Sequence, residues 1–306
     1  MKAMELTQYG GPEQLAASDV PKPEAKPGQI VVRVVAASYN PMDVKVASGQ
    51  MREMLPTEMP FIPGMDFSGI VESLGAGVQE FKIGDEVYGC PSGGGAYAEF
   101  IAIDTDRVAR KPSTLGHGEA ASLATVGETA MQALEQAHLQ AGQTILIQGA
   151  GGAVGGVAVQ IAHQLGAHVV ASADAESRDR LLDYGADVVI DYKTTPFESV
   201  AKDVDVVLDG IGGDVQRRSF SVLRPGGTLV ALSQPPTQEE AAQHKVSAVM
   251  LVTSVSSANL QALAAKIDAG EVRPFVGRTY PLSAAAQAWT DIHSQHSEGK
   301  IVFAVS

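Results

Sequence analysis

The sequence predicts an α/β protein in which a β-rich, barrel-like region precedes a parallel sheet covered by helices on both faces. Ten of the 16 prolines lie in residues 1–112, where short apolar segments alternate with loops such as residues 56–63. From about residue 117 onward, continuous apolar segments alternate with amphipathic ones. The first pattern is typical of a barrel, and the second is typical of a parallel sheet.

The β-rich region contains three predicted strands, at residues 30–37, 69–74 and 96–103. The last 36 residues return to a mixed pattern and end in a strand-like segment, residues 300–305. We therefore predict one domain made of residues 1–116 and 271–306, and a second domain made of residues 117–270.

The second domain begins with an apolar strand at residues 145–147, followed directly by glycines. Apolar residues from Val154 to Leu165 then recur at spacings of three and four, which predicts a helix, and Gly166 suits its C-terminal cap. Further strands are predicted at residues 169–171, 188–190, 206–208 and 228–232.

Composition and charge exclude several classes of partner. The chain carries 22 Lys and Arg against 35 Asp and Glu, a net charge of −13, which disfavours nucleic acids and anionic membranes. Its single cysteine cannot form an intramolecular disulfide, which favours a reducing compartment. The N-terminal segment lacks the apolar core of a signal peptide, and glycines interrupt the most apolar stretch, residues 145–162. We expect a cytoplasmic protein with no membrane partner.

A glycine-rich loop, residues 148–156 (QGAGGAVGG), lies between a predicted strand and a predicted helix. From Ala150 it reads A-x-G-x-x-G, a form of the dinucleotide fingerprint in which small residues let the backbone approach a pyrophosphate. The following helix N-terminus would add N–H donors and partial positive charge. A tight turn without a ligand is the alternative. The predicted cofactor-binding residues here are Gly149, Ala150, Gly151, Gly152, Ala153, Val154 and Gly155.

Ordered motifs run along nearly the whole chain. They are AASYNPMD (36–43), PGMDFSG (63–69), GDEVYG (84–89), GAYAE (95–99), GETA (127–130) and GKIV (299–302). In this order they resemble the medium-chain dehydrogenase/reductase family, in its zinc-free, quinone-oxidoreductase-like (zeta-crystallin-like) branch. The resemblance implies a GroES-like β-barrel catalytic domain and a Rossmann domain with a doubly wound parallel sheet. It also implies hydride transfer with a nicotinamide cofactor.

The residues predict a protein without zinc. No histidine precedes His117, Cys90 is the single cysteine, and residues 64–66 read Gly-Met-Asp where zinc-dependent members have Gly-His-Glu. The first region therefore lacks the three or four ligands that zinc requires. His293 and His296, three residues apart, are interpreted as a solvated helix face, and Cys90 as a small buried residue.

A metal-free site favours a substrate that is already activated, either a quinone or an alkene conjugated to a carbonyl. Negative charge that develops on the substrate oxygen needs a hydrogen-bond donor or general acid. The resemblance places Tyr39, Asn40 and Lys45 at the catalytic site, and Asn40 also near the cofactor. Asn40, Lys45 or a water would be the donor, whereas Asp43 is interpreted as holding the turn before the next helix.

The resemblance also assigns residues that line the nicotinamide. They are Thr129 in the GETA segment, Ser233 at the end of the strand at 228–232, and two glycines in the loop after the strand at 206–208, Gly210 and Gly212. Lys300, in the C-terminal strand motif, completes the predicted cofactor set.

The choice between NADP(H) and NAD(H) depends on the loop after residues 168–172. The resemblance favours NADP(H), whose 2′-phosphate Ser172, Ser177 and Arg178 would hold, with Arg180 as a further cation. Asp174 instead lies 24 residues after Ala150, close to the offset of the acid that binds a ribose 2′-hydroxyl in NAD sites. Asp174 as a simple helix cap is the alternative. NADP(H) is the prediction and NAD(H) the alternative.

Two other functions remain open from the sequence: an enoyl-thioester reductase, and a redox-inactive NADPH-binding sensor or structural protein. A homodimer is also predicted. Members of the family pair their Rossmann sheets edge to edge, and residues 246–255 (VSAVMLVTSV) supply a late, apolar strand.

Overall fold

The computed structural model describes residues 1–294 and 299–305, without the side chains of His293 and Ser294. The interpretation of His293 and His296 as a solvated pair therefore falls outside the described residues.

The chain divides into two compact units. Unit 1 contains residues 1–125, 255–269 and 274–306, and unit 2 contains residues 126–254 and 270–273. The sequence-based division differs because it groups residues 117–125 and 255–269 with the second domain and residues 271–273 with the first. The assignment of a catalytic domain and a dinucleotide-binding domain to the sequence-based ranges stays a prediction.

Unit 1 is built on a seven-stranded, mainly antiparallel sheet with a separate two-stranded ribbon. Its strands are β1 (Lys2–Leu6), β2 (Leu15–Asp19), β3 (Gln29–Ser38), β4 (Asp66–Leu74), β5 (Glu86–Gly89), β6 (Phe100–Asp104), β7 (Val108–Arg110), β14 (Val276–Pro281) and β15 (Lys300–Ala304). Its helices are α1 (Pro41–Ala47), α7 (Ser257–Asp268) and α8 (Ala285–Ser294), and α2 (His117–Gln136) begins in this unit.

Strand β3 is central to unit 1 because it pairs with β4, β6 and β15. Its apolar side chains join Phe67, Trp289 and Phe303, all 0% exposed, in the core. One predicted strand is shorter than expected. Residues 96–99 lie outside β6, because Tyr97 and Ala98 instead make single bridging contacts with β1.

Unit 2 contains a six-stranded, all-parallel sheet in the order β10-β9-β8-β11-β12-β13. The strands are β8 (Thr144–Gln148), β9 (His168–Ala173), β10 (Val188–Asp191), β11 (Val204–Asp209), β12 (Leu223–Ala231) and β13 (Ser247–Met250). The helices are α3 (Ala153–Gln164), α4 (Arg178–Asp183), α5 (Gly213–Ser219) and α6 (Gln238–His244). The predicted fold class is confirmed.

The helix predicted after the glycine loop is confirmed as α3. Val157, Ala158 and Ile161 are buried on it, and Gly166 follows its end with φ +78°, the left-handed conformation of a C-terminal glycine. Among the helices that the structure describes, none is both long enough and apolar enough to cross a membrane.

The register of the parallel sheet aligns the strand ends of unit 2. Gln148 pairs with Ser172 on one side and with Asp209 on the other, and Asp209 pairs with Ala231. Ligands bind at the carboxyl ends of strands in open parallel sheets. The loops after these four residues carry most of the predicted cofactor residues of unit 2, so the fold places them along one edge.

Candidate functional site

The glycine loop has no room for larger residues at several of its positions. Gly149 has φ +74°, which favours glycine. A Cβ atom on Gly155 would lie 2.5 Å from the Gly149 carbonyl oxygen and 2.6 Å from Ala150 Cα. Gly155 therefore lets α3 pack closely on the loop. Gly152 differs, because the nearest atom to a Cβ there would be 3.4 Å away.

The N-terminus of α3 is open to a ligand. Its N-cap, Gly152, has extended backbone geometry and no side-chain cap, so no described side chain covers the N–H groups of Ala153 and Val154 there. Uncapped N–H groups and the helix dipole make such an end a site for anions.

A cleft of about 480 Å³ opens beside this helix end, entirely within unit 2. We call it the nucleotide cleft. Its walls are mostly apolar, with a carboxylate and a guanidinium as the charged groups. It is lined by Gln148, Gly149, Gly151, Gly152, Ser172, Ala173, Asp174, Tyr192, Thr195, Pro196, Phe197, Ile211, Val215 and Arg218.

Several of these lining residues were missed from the sequence. Tyr192, Pro196 and Phe197 follow β10, and Arg218 lies on α5. The rule that ligands bind at carboxyl strand ends points to the loop after β10, because β10 neighbours β9. No motif in the sequence marks Arg218, which donates two hydrogen bonds to Glu198.

Asp174 caps the helical segment that follows β9. Its Oδ1 accepts a hydrogen bond from the Ser177 N–H at 3.0 Å. Burial raises the pKa of Asp174, but hydrogen bonds from Ser177 together with the charges of Lys193 and Arg180 bring that pKa below its usual range. Asp174 is thus a helix cap that also presents a carboxylate to the nucleotide cleft.

The nearby cations already have partners. Arg180 donates to the Gly151 carbonyl and to Ser177 Oγ, both at 3.1 Å. Arg178 donates to the carbonyl of Val189 at 3.0 Å and does not line the nucleotide cleft. Ser177 is 3% exposed and lies beneath Gly151, since a Cβ on that glycine would be 2.7 Å from Ser177 Oγ. Arg180 and Ser177 thus hold the glycine loop.

The loop after β11 is organised by Asp209, which is fully buried. Its Oδ1 accepts the N–H groups of Ile211 and Gly212, and its Oδ2 accepts from Gln216 at 2.8 Å. Gly212 has φ +84°, and a Cβ there would lie 2.6 Å from Ser233 Oγ. Gly212 and Ser233, both predicted from the sequence, are therefore neighbours.

Thr129, another predicted residue, exchanges a hydrogen bond with Thr253 at 3.0 Å between hydroxyl oxygens. Gly210 follows Asp209 directly and is exposed, and its N–H donates to the Gln148 carbonyl. The cofactor contacts of Thr129, Gly210, Gly212 and Ser233 stay predictions.

Unit 1 brings the predicted residues Asn40 and Lys300 together with Asp43 and with four residues that sequence reasoning missed. We call this group the buried polar cluster: Ser38, Asn40, Asp43, Asp66, Tyr97, Thr125 and Lys300. Asp66, at 0% exposure, lies at its centre. Asp66 Oδ1 accepts from the N–H and hydroxyl of Thr125, at 2.9 and 2.6 Å. Its Oδ2 accepts from Ser38 and Asn40, and lies 3.3 Å from Lys300 Nζ.

The Lys300 ammonium has three acceptors. Besides Asp66, it donates to the Tyr39 carbonyl at 2.6 Å and to Asn40 Oδ1 at 2.7 Å. Lys300 is 7% exposed, so its cofactor role stays a prediction that competes with these contacts. Asn40 uses its Oδ1 for Lys300 and one Nδ2 hydrogen for Asp66, which fixes the plane of its amide and leaves one N–H available.

Asp43 accepts the Asn40 N–H at 2.8 Å, which confirms its interpretation as the residue that holds the turn before α1. The same oxygen, Oδ2, accepts from the Tyr97 hydroxyl at 3.2 Å. The other oxygen, Oδ1, is buried without a hydrogen-bond partner among the described residues. Burial is the largest cause that raises the pKa of Asp43, and nearby Asp66 adds to it; against the opposing effect of hydrogen bonds and Lys300, the net pKa is about 7.

Tyr39 and Lys45 present polar groups that no other described residue engages. Tyr39 is half-buried, and its ring lies edge-on to Trp289 with 6.5 Å between the centroids. The structure records no partner for the Tyr39 hydroxyl or the Lys45 ammonium within the described ranges. Burial, and then Asp43, raise the pKa of Tyr39 to about 12, so the hydroxyl is protonated at neutral pH.

The donor chemistry of unit 1 does not fit a zinc site. Within residues 1–294 and 299–305, no three His, Cys, Asp or Glu side chains are grouped so as to hold a metal ion. Burial raises the pKa of Cys90 to about 12, which keeps the thiol protonated, and Asp66 uses both oxygens for hydrogen bonds. Zinc binds thiolates, and Cys90 is a poor source of one.

Two family models match separate ranges of the chain. Residues 26–113 match the model described as alcohol dehydrogenase GroES-like domain. Residues 184–303 match the model described as zinc-binding dehydrogenase. The chain belongs to the medium-chain dehydrogenase/reductase family, a family of oxidoreductases, which confirms the resemblance inferred from the motifs.

The chain is similar to several named proteins over nearly its whole length. The chain is 32% identical over 315 residues to the chloroplastic NADPH-dependent alkenal/one oxidoreductase of Arabidopsis thaliana, covering 99% of this chain and 79% of that protein. It is 32% identical to the quinone oxidoreductase of Rattus norvegicus, covering 99% and 97% of the two chains. The solved structure of the quinone oxidoreductase from Coxiella burnetii superposes with a TM-score of 0.93 at 34% identity, covering 100% and 99%.

Proposed function

We propose that the protein reduces quinones or alkenes conjugated to a carbonyl, by hydride transfer from NAD(P)H and without a metal. The observation that carries the proposal is the uncapped N-terminus of α3, which follows a loop crowded at Gly149, Gly151 and Gly155 and opens into a mostly apolar cleft. The relatives named for quinone and alkenal/one reduction support the substrate class.

The nucleotide cleft fits a dinucleotide. Gly151, Gly152 and the N–H groups of Ala153 and Val154 would hold the pyrophosphate, and Phe197 with Ile211 would flank the adenine. Bound there, the reduced nicotinamide supplies the hydride.

NADP(H) is the proposed form of the cofactor because the Arabidopsis relative is named as NADPH-dependent. Of the residues predicted to hold the 2′-phosphate, Ser172 lines the nucleotide cleft, Ser177 is buried, and Arg178 donates to Val189. Asp174 presents a carboxylate that repels a phosphate, so NAD(H) remains the competing form.

The proton and hydrogen-bond donors are proposed from unit 1. Tyr39 carries a protonated hydroxyl without a described partner, and we assign it proton donation to the reduced substrate. The free N–H of Asn40 would stabilise the developing oxyanion, and Lys45 would add positive charge. A Tyr39→Phe variant should lose about tenfold or more in kcat and keep its cofactor affinity.

A substrate panel tests the function directly. Consumption of NADPH and NADH is followed by absorbance with a quinone, an enone and an enoyl thioester. Turnover of the quinone or enone supports the proposal. Turnover of the thioester alone indicates an enoyl-thioester reductase, and stoichiometric cofactor binding without turnover indicates a sensor.

Independence from metal has its own test, because one matching family model is described as zinc-binding. Elemental analysis and chelator treatment of the purified protein should find no stoichiometric zinc and no loss of turnover. One bound zinc whose removal abolishes activity would show that the proposal of metal-free chemistry is wrong.

A homodimer in the cytoplasm is also part of the proposal. Strand β13 is an outer strand of the unit 2 sheet, and Val252 just beyond it is 83% exposed, so an unpaired apolar edge is available for a two-fold contact. The single cysteine supports the reducing compartment. Light scattering at micromolar concentration should report a dimer, and a Val252→Asp variant should shift it toward monomer.

A further inference from the structure

The buried polar cluster contains two carboxyl groups but one ammonium group. Lys300 lies 3.3 Å from Asp66 and gives its other hydrogen bonds to Tyr39 and Asn40. No hydrogen bond or ion pair joins it to Asp43 in the described structure. Because a buried charge without a counter-charge is strongly unfavourable, the position of Lys300 beside Asp66 leaves Asp43 without a counter-charge and favours the neutral form of Asp43.

The hydrogen bonds of Asp43 lower its pKa against the larger effect of burial, and they show which oxygen would carry the proton. Two donors, the Asn40 N–H and the Tyr97 hydroxyl, converge on Oδ2, so Oδ2 is the carbonyl-like oxygen. The proton of the neutral acid therefore belongs on Oδ1, the oxygen without a described partner. Burial, the largest cause, raises the pKa of Asp43 to about 7, within the range where its charge changes under ordinary conditions.

The titratable groups around Asp43 come from five other segments of unit 1. These groups are Tyr39 after β3, Asp66 on β4, Cys90 after β5, Tyr97 before β6 and Lys300 on β15. All except Lys300 are acids. Tyr39, Tyr97 and Cys90 have raised pKa values and stay protonated near neutral pH. The helix of Asp43 itself carries Lys45.

We propose that Asp43 works as a neutral carboxylic acid and that its ionisation weakens proton donation by Tyr39 to the reduced substrate. The inference rests on the proposed function. Asp43 does not touch the substrate in this proposal. It acts through Tyr39, because its charge state changes the acidity of the Tyr39 hydroxyl, and it is thus a positioning residue. The negative charge of an ionised Asp43 raises the pKa of the Tyr39 hydroxyl and makes that hydroxyl a weaker acid.

The proton balance of the step is simple. The substrate gains one hydride and becomes an oxyanion, the O–H bond of Tyr39 breaks, and its proton passes to that oxyanion. Solvent water then returns a proton to the Tyr39 phenolate. Asp43 keeps its proton throughout, and loses it only when the pH rises.

The first experiment measures kcat against pH from 5 to 9 for three proteins. In the wild type, kcat should fall roughly tenfold through a step near pH 7, because a nearby buried charge weakens the acid by that order. Asp43→Asn, which imitates the neutral acid, should lack this step. Asp85→Asn is the matched control, since Asp85 is also buried but is paired with Arg110 away from the cluster, and it should keep the step.

A second variant guards against a misfolded Asp43→Asn protein. Tyr97→Phe removes a hydrogen bond that lowers the pKa of Asp43, so the step should move to higher pH. If the step is unchanged in both Asp43→Asn and Tyr97→Phe, the proposal is wrong.

An infrared titration separates this inference from the proposed function, because it needs no turnover. The wild type should show a protonated carboxylic acid band that disappears near pH 7 and is missing in Asp43→Asn. A band without any reductase activity would refute the proposed function while keeping Asp43 neutral. Absence of the band in the wild type would overturn the inference even in an active enzyme.

Discussion

The glycine loop of unit 2 and the buried polar cluster of unit 1 are built in opposite ways. The loop is made of backbone within one strand-turn-helix segment, and close contacts at Gly149, Gly151 and Gly155 leave no room there for larger side chains. The cluster is made of side chains from distant segments, with Asp66 and Lys300 separated by 234 positions and Asp43 and Tyr97 by 54. Substitutions in distant segments should therefore leave the local backbone loop intact. In the long-range network, the loss of one side chain removes hydrogen bonds from several others.

The largest effect is expected where the cluster loses its cation. Lys300→Met leaves the fully buried Asp66 without its ammonium partner, and should destabilise the protein by about 3–5 kcal/mol. The matched control is Lys22→Met, because the Lys22–Glu72 pair is exposed, at 43% and 41%, and should cost at most about 1 kcal/mol. Urea unfolding measures both variants. Equal losses of unfolding free energy in the two variants would show that the buried cluster does not depend on Lys300 more than the surface depends on Lys22.

The stability of the cluster should also depend on pH through Asp43. Its folded pKa is raised to about 7, so the folded state binds more protons than the unfolded state between about pH 4 and pH 7. The stabilisation is complete below the unfolded pKa and is lost as the pH rises through 7, by up to about 4 kcal/mol. Thermal unfolding of the wild type and Asp43→Asn at pH 5 and pH 8 checks this. A stability difference between them that stays constant with pH would speak against a neutral Asp43.

Two glycines of the loop should respond differently to the same added methyl group. Gly155→Ala places a Cβ against backbone atoms at 2.5 and 2.6 Å, and should cost about 1–3 kcal/mol of stability and at least tenfold in NADPH affinity. Gly152→Ala has room for a methyl group, so its stability should stay within about 1 kcal/mol while NADPH affinity falls. Thermal melts measure the loss of stability, and fluorescence titration measures the loss of NADPH affinity. Equal losses of stability in the two variants would show that Gly155 is not special for packing.

The smallest effect is expected at Asp174, where cap and specificity can be separated. Asp174→Asn keeps the capping acceptor for the Ser177 N–H and removes the charge, so the NADPH-to-NADH ratio of kcat/KM should rise by several-fold with stability retained. Asp174→Ser removes the charge and shortens the cap. Asp179→Asn, exposed on α4, is the control and should leave the ratio unchanged. An unchanged ratio in Asp174→Asn would make Asp174 a cap alone.

The sequence by itself determined the parallel sheet, helix α3, the glycine loop and the family, because each depends on periodicity or on short motifs with fixed spacing. It also identified Asn40, Asp43 and Lys300 as notable residues without showing that they meet. The strand expected at residues 96–103 was too long, because pairing with β1 holds residues 96–99 and only tertiary contacts reveal it.

Only the tertiary structure decided how these side chains are used. It gave Arg178 and Arg180 to backbone carbonyls, added Tyr192, Phe197 and Arg218 to the nucleotide cleft, and paired Lys300 with Asp66 rather than Asp43. The physical reason is that burial and partner distance set the charge state and availability of a polar group. Those quantities arise when segments separated by tens to hundreds of residues pack together, and local sequence patterns do not encode them.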